Sequence, residues 1–243
     1  MQNSSEIYDE NIIPLQSVLL LIFSSAAGAL LAVNILPVLV PGFLSSVNGE
    51  GLKAFWYLSR SSAFAAYLLL WLSMAFGLLI TNRMAKLWPG GPAAFDLHQH
   101  VSLLALVFSL FHALILLGDQ YIQSDLMDLL VPFGLTAYRP FWVGFGQIGL
   151  FLLVLVTLTF YVRKWLGGQR WRVIHMASYA AFVLAAFHGL YSGTDTLSSG
   201  ALAMYTITFL SIFFLTMYRI LSRFLVHQRV TVASVAATHR DIK

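Results

Sequence analysis

The chain has 243 residues, of which 59% are apolar or aromatic and only 10% are charged. Soluble domains carry a charge on about a quarter of their residues, so this composition excludes a water-soluble globular protein. The formal net charge of +4 is modest, and its distribution indicates membrane topology, not binding to nucleic acid. Cysteine is absent, which excludes disulfides, cysteine-bound iron–sulfur clusters and covalently attached haem.

Long, continuous apolar runs predict six transmembrane helices. A helix needs about 20 apolar residues to cross a bilayer, and uninterrupted runs favour helices over the alternating strands of a barrel. In chain order the predicted spans are residues 15–40, 55–80, 97–117, 142–162, 174–190 and 202–221. The expected fold class is therefore all-α, a polytopic six-helix bundle. Residues 1–14 and 222–243 are expected to be short tails on either side of a transmembrane domain at 15–221.

The basic residues predict an orientation for this bundle. Eleven of the 14 lysines and arginines fall in the connections after the second and fourth spans, or at and after the end of the sixth. The positive-inside rule places these segments, and with them both termini, in the cytoplasm. We expect a multi-pass protein of the inner or plasma membrane, embedded in lipid. The longest external connection, residues 118–141, is expected to be a loop or short helix at the membrane surface.

Four histidines form two pairs at two depths of the predicted bundle. His98 and His112 are 14 residues apart on the third span, so they point the same way about 21 Å apart. His175 and His188 are 13 residues apart on the fifth span, a rise of about 20 Å. Both spans enter from the cytoplasmic side, so His98 and His175 share the inner level. Two imidazole pairs at two depths are typical of two stacked bis-histidine b-type haems.

Other observations leave alternatives open. A spacing of 13 residues puts two side chains well over a quarter turn apart on a straight helix, so the fifth span needs local tightening, a kink or differing rotamers. His100 lies on a different face from His98 and is expected near the headgroups, while His227 and His239 belong to the carboxyl-terminal tail. The paired histidines are also compatible with hydrogen-bonded structural groups, or with a haem-free relay for protons or metal ions.

Three stretches resemble the ferric reductase-like transmembrane component family, the six-helix haem domain of NADPH oxidases, metalloreductases and the haem subunit of the periplasmic methionine sulfoxide reductase system. They are WYLSRSSAFAAYLLLW at 56–71, FDLHQHVSLLALVFSLFHALI at 95–115 and WRVIHMASYAAFVLAAFHGL at 171–190. The resemblance implies that His98 and His175 ligate the iron of an inner haem b, and that His112 and His188 ligate that of an outer one. It also implies that Arg60 faces the outer haem.

The propionates of an inner haem also need cations. Arg172 is the candidate that we carry forward, with Arg83 and Arg170 beside it, although membrane anchoring accounts for all three without a cofactor. The family usually has arginine or a similar group directly after the first histidine of the third span, where this chain has Gln99 and then His100. That departure bears on the inner propionate contacts more than on the axial ligands.

The resemblance implies a cytochrome b-like subunit that is a probable oxidoreductase. Larger relatives continue into a flavin and NADPH domain, whereas this chain has 22 residues after the sixth span and no glycine-rich phosphate loop. The expected donor is therefore a cytoplasmic flavoprotein, carrying FMN or FAD, or membrane quinol. The expected external acceptor is ferric iron, oxygen or a periplasmic redox protein. The alternatives are the haem subunit of a methionine sulfoxide reductase system, a haem-free proton or metal transporter, and a haem-free scaffold.

Overall fold

The structure, a computed structural model, describes residues 13–40, 54–119 and 122–240, with side chains to residue 225. Within these residues six helices are long and apolar enough to cross a membrane, and no strand is found. The helices are α1 (Leu15–Leu39), α2 (Ala54–Thr81), α3 (Gly91–Ile115), α4 (Leu126–Leu130), α5 (Pro140–Tyr161), α6 (Arg163–Leu166), α7 (Gly168–His175), α8 (Ala177–Ser192) and α9 (Ser199–Arg240). The fifth span consists of α7 and α8. The predicted all-α bundle of six spans is confirmed.

The surface of the bundle is apolar, as a lipid-facing surface must be. Large side chains such as Phe23 and Phe214 are 73% and 64% exposed. No more than 33% of the residues in the apolar window of any span are buried inside the protein. A soluble protein rarely exposes apolar area on this scale, so the chain is a multi-pass membrane protein.

The structure moves the ends of several predicted spans. The third begins at Gly91 and the fifth at Gly168, each six residues before its predicted start. The sixth helix continues past residue 221 to Arg240, through most of the predicted tail. The apolar run alone set the predicted ends, whereas hydrogen-bonded turns continue into the polar interface. The expected amino-terminal tail lies almost wholly outside the described residues.

The predicted surface connection contains one short helix, α4, held over the end of α5. Its start is capped reciprocally by the Asp125 and Asp128 side chains, each accepting from the other residue's backbone N–H. The buried Gln147 amide of α5 donates to the Asp128 carbonyl at 2.6 Å and accepts from the Phe133 N–H at 2.9 Å. This side chain therefore ties the connection to the bundle.

The helices pack so that α2 and α3 lie against each other on one side and α5 and α8 on the other. α1 packs on α3, and α9 packs on α2. The buried core between them is apolar and aromatic, and includes Tyr67, Leu70, Leu106, Leu153, Phe182 and Tyr205. This packing leaves space inside the bundle on both sides of the core.

Candidate functional site: two cavities with facing histidines

Two cavities lie inside the bundle, each with one predicted histidine pair in its wall. The His98 cavity, which also contains His175, has about 1060 Å³ of empty space including its open side. The His112 cavity, which also contains His188, has about 1480 Å³ by the same measure. The volume that admits a water-sized sphere is about 170 Å³ in the first cavity and about 210 Å³ in the second. Pockets for small molecules are commonly about 300–1,000 Å³, so a large ligand would occupy the open side of either cavity as well. Leu70 lines both cavities and forms part of an apolar partition between them.

The rings of each histidine pair face one another across their cavity. The ring centres of His98 and His175 are 6.1 Å apart with planes at 72°, and those of His112 and His188 are 5.9 Å apart at 67°. A metal–imidazole bond of about 2 Å, plus about 1 Å from that nitrogen to the ring centre, sets two opposed axial ligands about 6 Å apart. Both pairs therefore have the spacing that a single shared metal ion requires.

Backbone carbonyls orient three of the four rings. The Nδ1–H groups donate to the carbonyls of Ser73 (from His98, 2.9 Å), Ser59 (from His112, 2.8 Å) and Trp142 (from His188, 3.0 Å). A carbonyl only accepts, so each of these bonds places the proton on Nδ1 and leaves the Nε2 lone pair for a metal. The Nδ1 atom of His175 is buried and has no hydrogen-bond partner among the described residues.

The two serines on α2 repeat the spacing of the histidines on α3. Ser59 and Ser73 are 14 residues apart, as are His98 and His112, and the two helices run in opposite directions. Each serine therefore meets one histidine, and the Ser59 hydroxyl also lies 2.8 Å from the Nδ1 atom of His112. These serines were not predicted from the sequence, although an interval that matches that of the histidines is a signal that could have found them.

Two glycines make room for histidine rings. A Cβ atom on Gly146 of α5 would lie 2.7 Å from the Nδ1 atom of His188, closer than real contacts allow. A Cβ on Gly77 of α2 would lie 3.4 Å from the Cε1 atom of His98. The close approach of α5 to His188 thus depends on the absence of a side chain at residue 146.

The fifth span is tightened directly after His175. α7 ends there, and the N–H of Met176 is shared between the carbonyls of Arg172 at 3.1 Å and Val173 at 3.2 Å. The N–H of Tyr179 then bonds to the Met176 carbonyl at 3.1 Å, three residues back instead of four. Such bonds wind the chain more tightly than an α-helix does. The 13-residue spacing predicted local tightening, a kink or differing rotamers in this span, and the structure shows tightening.

The arginines are placed differently from one another. Arg60 lines the His112 cavity and forms an ion pair with Asp195, which lines the same cavity. Arg172 is exposed and is not part of the lining of the His98 cavity. Arg219 of α9 lines that cavity instead. It is one of the eleven basic residues that the sequence indicated only as determinants of orientation.

Of the other three histidines, the structure describes the side chain of His100 alone, and it is not part of the lining of either cavity. His100 is exposed, and its Nδ1 atom lies 2.8 Å from the Asp96 carbonyl of its own helix. The side chains of His227 and His239 lie outside the described part of the chain. His100 is therefore available as a control for the four paired histidines.

Comparison with known protein families gives a match over the middle of the chain. The family model of a domain of unknown function, DUF8596, matches residues 54–195, more than half of the 243-residue chain. The matched stretch contains all four paired histidines as well as Arg60 and Asp195, and it ends before α9. No curated protein and no solved structure matches the chain.

Proposed function

Because the chain belongs to the DUF8596 family, whose description states no activity, we propose a function from its own residues: a haem-binding subunit that carries electrons across a membrane. The observation that carries the proposal is that each of two cavities in one bundle contains two opposed histidines. Their ring centres are 6.1 Å apart in the His98 cavity and 5.9 Å apart in the His112 cavity. His98 and His175 would hold one haem b, and His112 and His188 a second.

The residues present fit haem better than a bare metal ion. Among the described residues, no group of three or more His, Asp or Glu side chains converges on one point. A haem iron needs only two protein ligands, since the porphyrin supplies the others. Two opposed imidazoles with mainly apolar surroundings meet that need. Held by two histidines, a haem b accepts and donates single electrons and has no open position for a small ligand.

The protein's own contribution is orientation, insulation and charge. The carbonyls of Ser59, Ser73 and Trp142 fix the ring tautomers, so that the ligating nitrogen is available without prior proton release. Leu70 and Leu153 separate the cavities with apolar groups, which excludes water between them. Arg60 supplies a cation at the His112 cavity, where its partner is a protein carboxylate.

The direction of transfer is part of the same proposal. The positive-inside rule puts the His98 cavity on the cytoplasmic side and the His112 cavity on the external side. A cytoplasmic flavoprotein or membrane quinol then serves as donor. Ferric iron, oxygen or a periplasmic redox protein serves as acceptor, the last as in the haem subunit of a methionine sulfoxide reductase system. The resemblance of the histidine stretches to ferric reductase-like transmembrane components supports this arrangement.

Haem content of the purified protein tests the proposal. A pyridine haemochrome assay with a dithionite difference spectrum should give two b haems per polypeptide. His112→Leu should reduce the count to one, and His98→Leu should remove the other haem. His100→Leu, on the same helix but facing away from the cavities, should keep both haems.

A wild-type protein without Soret absorption after expression with ample haem would refute the proposal and favour a proton or metal relay. Two haems in His112→Leu would refute the ligand assignment.

A further inference from the structure

The wall of the His98 cavity contains a cation without a partner. Arg219 is half-buried on α9, within the stretch Ser199–Leu225 that is long and apolar enough to cross a membrane. Among the described residues its guanidinium has no hydrogen-bond or ion-pair partner. Arg60 at the other cavity is paired with Asp195, so the two cavities differ in this respect. A cation at membrane depth is costly unless something neutralises it.

A second unsatisfied donor lines the same cavity. The indole Nε1–H of Trp171 is buried and has no acceptor among the described residues. Its ring centre lies 5.1 Å from that of His175, one turn further along the chain. Buried N–H groups are nearly always hydrogen-bonded, so a donor without an acceptor indicates that an acceptor belongs there.

Arg219 lies at the depth of His175 in the bundle. The Tyr205 hydroxyl of α9 lies so close to Gly189 of α8 that a Cβ added to this glycine would overlap it, which gives one point of register between the two helices. From this contact, 14 residues lead along α9 to Arg219, and 14 residues lead back along the fifth span to His175. Consecutive spans run in opposite directions, so both paths descend about 21 Å towards the same end. The backbone at Arg219 is therefore at about the depth of His175, and the Arg219 side chain lines the cavity that both histidines line.

We propose that Arg219 and the Trp171 N–H form a carboxylate site, and that its ligand is a propionate of the haem in the His98 cavity. The inference rests on the proposed function, since it assigns a group of that haem. A guanidinium matches a carboxylate with two parallel hydrogen bonds, and an indole N–H adds a third donor. The residue that we expected in this role from the sequence, Arg172, is exposed instead. The other source of such an oxygen anion is a lipid phosphate.

The site has a measurable consequence besides activity. Reduction adds one negative charge to a haem, so a nearby cation favours the reduced form. Arg219→Gln should therefore lower the midpoint potential of the haem that His98→Leu removes, while the other haem stays unchanged. We expect the reduction equilibrium to shift by about tenfold, or about 59 mV for one electron. Trp171→Phe, which keeps the ring and deletes the donor, should shift it less in the same direction, and Arg219→Lys should stay closer to wild type.

Optical redox titration in phosphatidylcholine nanodiscs tests this. Arg223→Gln is the matched control, because Arg223 is exposed one turn further along α9 and carries the same charge. If Arg219→Gln loses that haem, retention in Arg219→Lys supports the site, and loss in both overturns it. Equal potentials in Arg219→Gln and Arg223→Gln overturn the carboxylate site and leave the proposed function intact. Absence of haem from the wild type overturns both.

A second arm identifies the source of the anion. The apoprotein is reloaded with haem b or with its dimethyl ester, in which both propionates are neutral. If a propionate is the ligand, Arg219→Gln should shift the potential with haem b and have much less effect with the ester. An equal shift with both, growing when anionic phosphatidylglycerol is added to the nanodiscs, assigns the site to lipid phosphate and overturns the propionate assignment.

Discussion

At the scale of single residues, the space for a histidine ring comes from glycine on the neighbouring helix. We expect Gly146→Ala to displace the His188 ring, because the added Cβ would lie 2.7 Å from its Nδ1 atom. Overpacking of this kind costs about 1–3 kcal/mol, and the ring is held on one side by its bond to the Trp142 carbonyl. The expected result is a fall from two haems per polypeptide towards one, measured by pyridine haemochrome, with the haem of the His98 cavity retained.

Gly149→Ala is the control for that change. Gly149 is on the same helix and faces α8, but the nearest atoms to an added Cβ are 3.5 Å away or more, an ordinary contact. This variant should keep both haems. If Gly146→Ala also keeps both, with unchanged spectra, the ring of His188 can move without losing its ligand role, and the close approach of α5 has no functional meaning.

Individual residues also show why the sequence predicted some residues of the candidate site and missed others. Imidazoles are rare in apolar spans, so His98 and His112 were visible from their interval alone. The groups that orient them are backbone carbonyls, which every residue has, so no residue type marks them. Arg219 lies at the end of a run of basic residues that membrane anchoring explains. Only its register against the fifth span distinguishes it from Arg172, and register requires the packed structure.

At the scale of elements, the fifth span shows how a helix places two histidines 13 residues apart in the walls of two cavities. The tightened turn after His175 rotates α8 relative to α7, towards the common face that a straight helix would miss. The sequence predicted that the fifth span departs from a straight α-helix but not how it does so, because methionine at residue 176 is not a residue type that breaks a helix. The ends of the spans could likewise not be predicted from the apolar runs, because α7, for example, begins among polar residues.

An insertion tests whether this phase is what brings the pairs together. Two alanines inserted after Leu184, between the two histidines, turn His188 by about 200° from the direction that it has in the structure. We expect one haem to be lost, most readily that of the His112 cavity, as measured by pyridine haemochrome. Two alanines inserted after Gly167, before α7, leave the interval between the histidines unchanged and should preserve both haems. Two haems in the first variant would show that the helix re-registers freely, and that the tightened turn is not needed for ligation.

At the scale of the whole molecule, the two ends of the bundle differ in charge and in the segments that cover them. The end with His98 carries the basic connections, including Arg83, Lys86 and Arg163. The end with His112 is covered by the connection that Gln147 holds and by the Arg60–Asp195 pair. This polarity suits a protein that meets a donor at one face and an acceptor at the other, provided that the basic end faces the cytoplasm.

The absence of native cysteine makes that orientation directly measurable. Single cysteines at Leu197, which is 90% exposed at the His112 end, and at Leu87 and Trp165, which are 88% and 92% exposed at the other end, would each be the one thiol in the chain. In intact cells a membrane-impermeant maleimide should label Leu197→Cys, and it should label the other two only after permeabilisation. The unsubstituted chain controls for background. The reverse pattern would put the His98 cavity outside and reverse the proposed direction of electron transfer. The eleven basic residues would then be an exception to the positive-inside rule.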